Sequence, residues 1–282
     1  MSSSTPDRYV VIGNPVAHSK SPRIHALFAA QTGQDIRYDT LQAPLDGFVQ
    51  TVREFVTAGG RGANITVPFK EEAFRLATQL SARAAAAGAV NTLRFDASGA
   101  IFGDNTDGAG LVRDITANLC RSLNAKRVLL LGAGGAARGV ILQLLLEGPA
   151  QLYIANRTAA KATALVDEFN ALPSDVNGPP GHLSGGGFDS LTGRQFDVVI
   201  NATSAGLSDM PLDLPADLFA ERALAYDMVY GRETPFMRQA QAAGAQVADG
   251  LGMLVEQAAE SFSIWRGVRP ETAPVMQALR IG

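Results

Sequence analysis

The sequence predicts an α/β protein made of two units, and three observations lead to it. Strand-like and helix-like stretches alternate along nearly the whole chain. An apolar strand, "KRVLLLG", makes a fresh start near residue 126 and opens at once on a glycine turn and an apolar helix. The chain's 282 residues also exceed the roughly 150 typical of one domain. Strands that alternate with helices imply a largely parallel sheet covered on both faces.

The elements follow in order. "YVVIG" reads as a strand, and "SPRIHALFAAQTG" as a helix with Ser21 as its N-cap, Pro22 in the first turn and Gly33 at its end. "IRYDTL" is the next strand. "LDGFVQTVREFVTAGG" is a helix that aligns Phe48, Val52, Phe55 and Val56 on one face. "GANITV" is a third strand, and "KEEAFRLATQLSARAAAAG" starts as a helix. "AVNTLRF" and "AIFGDN" are short strands around the turn "DASG". A helix over residues 107–119 leads to the glycine-turn strand. Then come the strand "QLYIANRT" and the helix "AAKATALVDEFNAL". Residues 173–187, rich in Pro, Gly and Ser, read as a loop. "FDVVINATS", "ALAYDMVY" and "AQVADG" are strands, while "TPFMRQAQAAG", "MLVEQAAESFSIWRG" and "APVMQALRI" are helices.

Composition narrows the function. Apolar residues make up 46% and charged residues 18%, an ordinary folded balance. The net charge of -3, with no basic run, argues against nucleic-acid or anionic-membrane partners. Cys120 is the single cysteine, so no intrachain disulfide can form, which suits a reducing compartment. It is expected as a small buried residue at a helix end. His18, His25 and His182 show no metal-ligand spacing, so no metal is expected. No leader pattern or membrane-length apolar run is read, which favours a cytoplasmic enzyme or binding protein.

"LLLGAGGAARG" carries Gly132, Ala133, Gly134, Gly135 and Ala136 between a strand and a helix. Such glycines let the backbone approach a pyrophosphate, which the helix N-terminus then receives. A merely tight turn is the bare alternative. NAD-binding units place an acid at the end of the next strand. Here stand Asn156, Arg157 and Thr158, with Lys161 beyond. Arg157 can pair bidentately with a 2′-phosphate, so the expected cofactor is NADP(H).

Four polar clusters fall at strand ends in the first third: Ser19 and Ser21, Thr66 and Lys70, Asn91, and Asp107. Ligands of open α/β sheets bind at such ends. Singly, Ser21 or Asp107 could be a helix cap and Asn91 a turn residue. Together they describe a pocket with hydroxyls, an amide, one amine and one carboxylate, suited to a small polyhydroxylated acid.

At these residues the chain resembles the shikimate dehydrogenase family. "IGNPVAHSKSPRIH", "NITVPFK", "GAVNT", "GDNTDG", "GAGGAAR", "NRT", "NATSAGL" and "DGLGMLVEQAAESFSIWRG" carry the resemblance, in the family's order and over nearly the whole chain. It implies a substrate domain over 1–106 and 251–282 and a Rossmann-type NADP domain over 107–250. It also implies reduction of 3-dehydroshikimate to shikimate with NADPH, in aromatic amino-acid biosynthesis. By the same resemblance Ser19 and Ser21 hold the substrate carboxylate. Thr66, Asn91 and Gln257 bind its hydroxyls or frame the site, and Tyr230 lies near the carboxylate. Lys70 and Asp107 match the catalytic pair. Ala202, Thr203 and Ser204 match a turn touching the cofactor, Gly250 and Met253 match residues beside the nicotinamide, and Met228 also falls at a cofactor position. Two departures are Ala26 where the family often has Asn and Gly231 where it often has Pro.

Carbonyl reduction needs a hydride and a proton for the developing alkoxide. In a metal-free site poor in histidine, Lys70 is the natural donor, oriented by Asp107. Oxidation needs neutral Lys70, so its rate is expected to climb through the alkaline range. Two alternatives stand beside this reading. One is a quinate/shikimate dehydrogenase of relaxed specificity, against which Ser21 in place of threonine leans. The other is a catalytically silent NADP-binding regulatory protein. A monomer or a homodimer would suit the sequence equally.

Overall fold

The computed structural model describes residues 5–172, 182–203 and 210–281. The chain divides into two compact units, residues 1–110 with 255–282 and residues 111–254. Among the described residues no helix is long and apolar enough to cross a membrane.

In the first unit β1 (Asp7–Gly13) lies between β2 (Ile36–Gln42) and β3 (Gly60–Ile65), parallel to both. β5 (Thr92–Phe95) and β6 (Ile101–Asp104) form an antiparallel hairpin. Its turn is closed by the Asp96 carboxylate, which accepts the N–H groups of Ser98 and Ala100. With the two-residue β4 (Gln79–Leu80) the sheet order is β2-β1-β3-β5-β6-β4. Four helices accompany these strands: α1 (Ser21–Thr32), α2 (Phe48–Thr57), α3 (Lys70–Leu76) and α4 (Ala82–Ala87). The helical run from Lys70 onward breaks at Ala77, which turns extended at ψ 134, and restarts where Ser81 caps α4 by accepting the Ala84 N–H.

The expected cap at Ser21 is displaced by one residue. Lys20 takes the cap position without a side-chain cap bond, and Ser21 is the first helical residue. Pro22 in the first turn and Gly33 in the left-handed conformation close the two ends as expected. On α2, Phe48, Val52 and Phe55 face the core, as their spacing requires.

The second unit is an all-parallel sheet. β7 (Arg127–Leu131), β8 (Gln151–Ala155) and β9 (Leu183–Gly186) step outward on one side. β10 (Phe196–Asn201), β11 (Phe219–Asp227) and β12 (Gln246–Ala248) step outward on the other, giving β12-β11-β10-β7-β8-β9. α5 (Asp107–Arg113) leads into this unit and is extended by a π-helical turn, Asp114–Asn118. α6 (Gly135–Leu146) follows β7 and α7 (Ala159–Asn170) follows β8. α8 (Pro235–Ala242) precedes β12, and α9 (Leu251–Arg266) and α10 (Ala273–Ile281) end the chain.

Two expectations need correction here. Cys120 is exposed, because it follows the helix end in the left-handed conformation at φ 52. The loop expected over 173–187 contains a strand, β9, while 173–181 lie outside the described residues. Its glycines serve close packing: a Cβ on Gly185 would lie 2.6 Å from the Ile154 carbonyl oxygen.

α1 buries a histidine. His25 is fully buried, its ring stacked at 4.2 Å on Tyr38 and surrounded by Phe28, Phe262 and Trp265. Neither ring nitrogen has a hydrogen-bond partner. Burial drives the imidazole pKa down from 6.5 to about 3, with the nearby Asn64 side chain working the other way. The folded state therefore favours neutral His25. Its stability is fully present above pH 6.5 and is lost as the pH falls toward 3. Each unit of that window costs about 1.4 kcal/mol. Urea unfolding from pH 7 to pH 4 should show this slope, and His25→Phe should flatten it; an unchanged slope in the variant would refute the assignment.

Candidate active site

Each sheet has a crossover point where parallel strands run outward to either side, and polar residues gather there, where open α/β sheets bind ligands. In the first unit this point lies between β1 and β3. There the two strand-end loops touch: Asn14 N–H donates to the Val67 carbonyl at 3.1 Å, and Thr66 N–H to that of Ile12 at 2.9 Å. Gly13 is required at this crossing, since a Cβ would lie 2.4 Å from Thr66 Cγ2. One loop carries Ser19 and Ser21, and the Ser19 hydroxyl accepts the Ser21 N–H at 3.2 Å. The other carries half-buried Thr66 and then Lys70.

Phe69 sets the position of Lys70. Its ring is fully buried and stacks on Phe48 at 5.0 Å, which fixes the start of α3. Lys70 then donates to Asp107 Oδ2 at 2.5 Å, with side-chain exposures of 24% and 10%. This contact excludes a solvated surface lysine. Asp107 is the first residue of α5, not its cap: its own N–H is taken by Asn105 Oδ1 at 3.2 Å. The second carboxylate oxygen accepts Asn91 Nδ2 at 2.8 Å. Asn91 Oδ1 accepts the Thr106 N–H at 2.9 Å. A carboxylate on one side and a backbone donor on the other fix the orientation of this amide. Gln257, on α9, places Oε1 3.4 Å from Asn91 Nδ2 and 3.3 Å from the Thr106 hydroxyl. The expected Lys70, Asp107, Asn91 and Gln257 are thus joined in one hydrogen-bonded set.

In the second unit the crossover point lies between β7 and β10. Gly132, at φ 107, faces the turn after β10, where a Cβ would lie 3.1 Å from the Ala202 carbonyl oxygen. Thr203 donates its N–H and hydroxyl to Asn201 Oδ1 at 3.1 and 2.7 Å; Ser204 lies outside the described residues. Gly134 and Gly135 meet open space, since a Cβ on either would touch nothing within 4 Å. α6 begins there with no side-chain cap bond. Open room before uncapped N–H groups fits a dinucleotide pyrophosphate. Ala133 and Ala136 belong to the same turn. α7 also starts without a side-chain cap bond, at Thr158, and has no acid in its first turn. Arg157, Thr158 and Lys161 are exposed there, and Asn156 Nδ2 donates to the Thr158 carbonyl at 3.0 Å. Two cations beside a helix N-terminus make an anion site, which fits a 2′-phosphate.

Met228 and Gly250 lie back to back, with Gly250 N–H bonded to Val229 O at 3.0 Å. Met253 N–H donates to the Tyr226 hydroxyl at 3.3 Å, and that hydroxyl donates to buried Asp114 at 2.7 Å. Burial, then Asp114, pushes the Tyr226 phenol far above its ordinary value. Tyr230 is half-buried on the turn after β11, and burial raises its phenol too. Further polar groups, absent from the strand-end candidates, hold these sites. Asn64, Thr92, Thr106 and Ser261 sit behind Asn91, while Asn201 and Thr234 donate to buried Asp227 at 3.0 and 2.6 Å. All but Thr234 lie inside the quoted motifs, and within its motif Ser261 is marked by its four-residue spacing from Gln257.

Three family models match the chain: the shikimate dehydrogenase substrate-binding domain at residues 11–93, shikimate/quinate 5-dehydrogenase at 114–208, and the shikimate 5′-dehydrogenase C-terminal domain at 250–280. A protein of Dechloromonas aromatica named shikimate dehydrogenase (NADP(+)) is 62% identical over 276 residues, 97% of each chain. One of the same name from Methylobacillus flagellatus is also 62% identical, over 97% of this chain and 99% of its own. Among solved structures, shikimate 5-dehydrogenase of Thermus thermophilus, in complex with NADP(H) and shikimate, aligns with a TM-score of 0.84 at 35% identity, over 97% of this chain and 98% of that one. The Ael1 enzyme of Pseudomonas putida aligns with a TM-score of 0.89 at 48% identity, over the same shares.

A Cβ on Gly250 would lie 2.2 Å from the Met228 carbonyl oxygen, a backbone atom with no freedom to yield. Gly250→Ala should therefore destabilise the protein by about 1–3 kcal/mol. A melting temperature within a degree of wild type would contradict the tight crossing.

Proposed function

Because the chain belongs to the shikimate dehydrogenase family, we propose that it reduces 3-dehydroshikimate to shikimate with NADPH, reversibly. The contact of Lys70 with Asp107 at 2.5 Å carries the reading. When bound, the nicotinamide supplies the hydride. The residues of this chain supply the remainder. Lys70 gives a proton from Nζ to the carbonyl oxygen as it takes up negative charge, and the amine regains a proton from solvent. In oxidation the neutral amine takes that proton back. Asp107 holds the ammonium in place, and Asn91 keeps the carboxylate turned toward it. Ser19 and Ser21 hydroxyls receive the substrate carboxylate, with Tyr230 beside it. Thr66 and Gln257 bind ring hydroxyls. The glycine turn and the N-terminus of α6 take the pyrophosphate, and Arg157, Thr158 and Lys161 the 2′-phosphate. Thr203, Met228, Gly250 and Met253 border the rest of the cofactor. A reducing compartment such as the cytoplasm suits a chain with one cysteine.

Initial rates of 3-dehydroshikimate reduction test the assignment. Lys70→Ala should lower kcat by about 10²–10⁴-fold in a folded protein. Shikimate oxidation by wild type should accelerate through the alkaline range. Full activity in the variant, or a flat oxidation profile, would remove Lys70 from the reaction. Arg157→Ala should raise the KM for NADPH about tenfold or more and leave that for NADH unchanged. Equal effects on both cofactors would contradict a 2′-phosphate contact.

A further inference from the structure

The Asn91 amide leans on a second row of hydroxyls that touches neither Lys70 nor Asp107. Thr92 and Ser261 are completely buried, and their hydroxyl oxygens lie 2.7 Å apart. Thr92 Oγ1 donates to Asn91 Oδ1 at 2.9 Å. Ser261 Oγ accepts Asn64 Nδ2 at 2.9 Å and lies 3.0 Å from the Gln257 carbonyl oxygen. Asn64 Oδ1 accepts the Tyr38 hydroxyl at 2.8 Å. One set of donors therefore runs from Tyr38 through Asn64, Ser261, Thr92 and Asn91 to Asp107. Its two amides cannot pass a proton along, so the chain orients groups and does not conduct.

We propose that Thr92 and Ser261 are positioning residues for the reaction proposed above: Thr92 holds the Asn91 amide with its N–H toward Asp107, and Ser261 fixes the Thr92 hydroxyl. The inference rests on that reading of the site. A reversed Asn91 would set its oxygen against the Asp107 carboxylate and its N–H against the Thr106 N–H. The Thr92 hydroxyl opposes that reversal, because it offers its proton to an oxygen at this place. Ser261 supports it from behind: in this set its single proton goes to Thr92 Oγ1, which leaves the Thr92 proton for Asn91 Oδ1. In a buried network each such restraint counts, because a group that loses its partner has no water to turn to.

Thr92→Val keeps the shape and removes the hydroxyl; Thr92→Ser restores it. Both are measured with wild type in shikimate oxidation across pH, with thermal melting as a control. Thr92→Val should lose about tenfold in kcat and leave the KM for NADP+ unchanged, while Thr92→Ser recovers most of the loss. A wild-type kcat in Thr92→Val would overturn the proposal, as would a loss that Thr92→Ser shares in full. Should Thr92→Val fail to fold, Ser261→Ala carries the same test. It should lower kcat and leave the KM for NADP+ unchanged, and a wild-type kcat would overturn the proposal. A wild type that turns over neither shikimate nor 3-dehydroshikimate would refute the functional reading itself.

Discussion

The first unit is organised around one carboxylate with almost no access to water. Asp107 is 7% exposed and accepts donors from two directions, the Lys70 ammonium and the Asn91 amide. A charge in that position is tolerable only if such donors are present and held. Each donor comes from a different element: Lys70 opens α3, Asn91 precedes β5, and Asp107 itself opens α5. The registers of β3, β5 and β6 bring them together, since Asn64 pairs with Thr92 and Thr92 with Asp104. A slip of one residue would turn these side chains to the opposite face. The proposed catalytic pair and the sheet register are thus one constraint.

The second unit meets its constraint with backbone. Gly132 and Gly250 bring main chain against main chain at the strand ends, where any side chain would collide. Asp227 ties the same region together by accepting Asn201, Thr234 and the Val229 N–H. The result leaves two helix N-termini without side-chain caps, at Gly134 and Thr158. Rigid surroundings and open N–H groups are what an anion-binding turn needs.

Legibility from sequence followed the range of the underlying physics. Helix faces and ends are local, so Phe48, Val52 and Phe55, the Gly33 stop and the glycine turn could be read directly. Lys70, Asp107 and Asn91 were legible as strand-end polar groups inside distinctive motifs. Ser21 was misplaced as a cap because cap and first turn differ by one residue, which backbone angles decide. β9 reads as loop in the sequence because glycine marks turns, whereas here its glycines admit the close approach of Ile154. Cys120 was expected inside because its type is usually buried, yet a left-handed residue after the helix end faces outward.

By itself the sequence determined the α/β class, the order of elements, the family motifs and the chemical groups at the strand ends, because these rest on local periodicity and residue type. Only the tertiary structure decided that Lys70 touches Asp107, that Asn91 turns its N–H toward that carboxylate, and that Thr92 and Ser261 stand behind it. These are contacts between residues up to 169 positions apart, set by strand register and helix docking, and no local pattern encodes them.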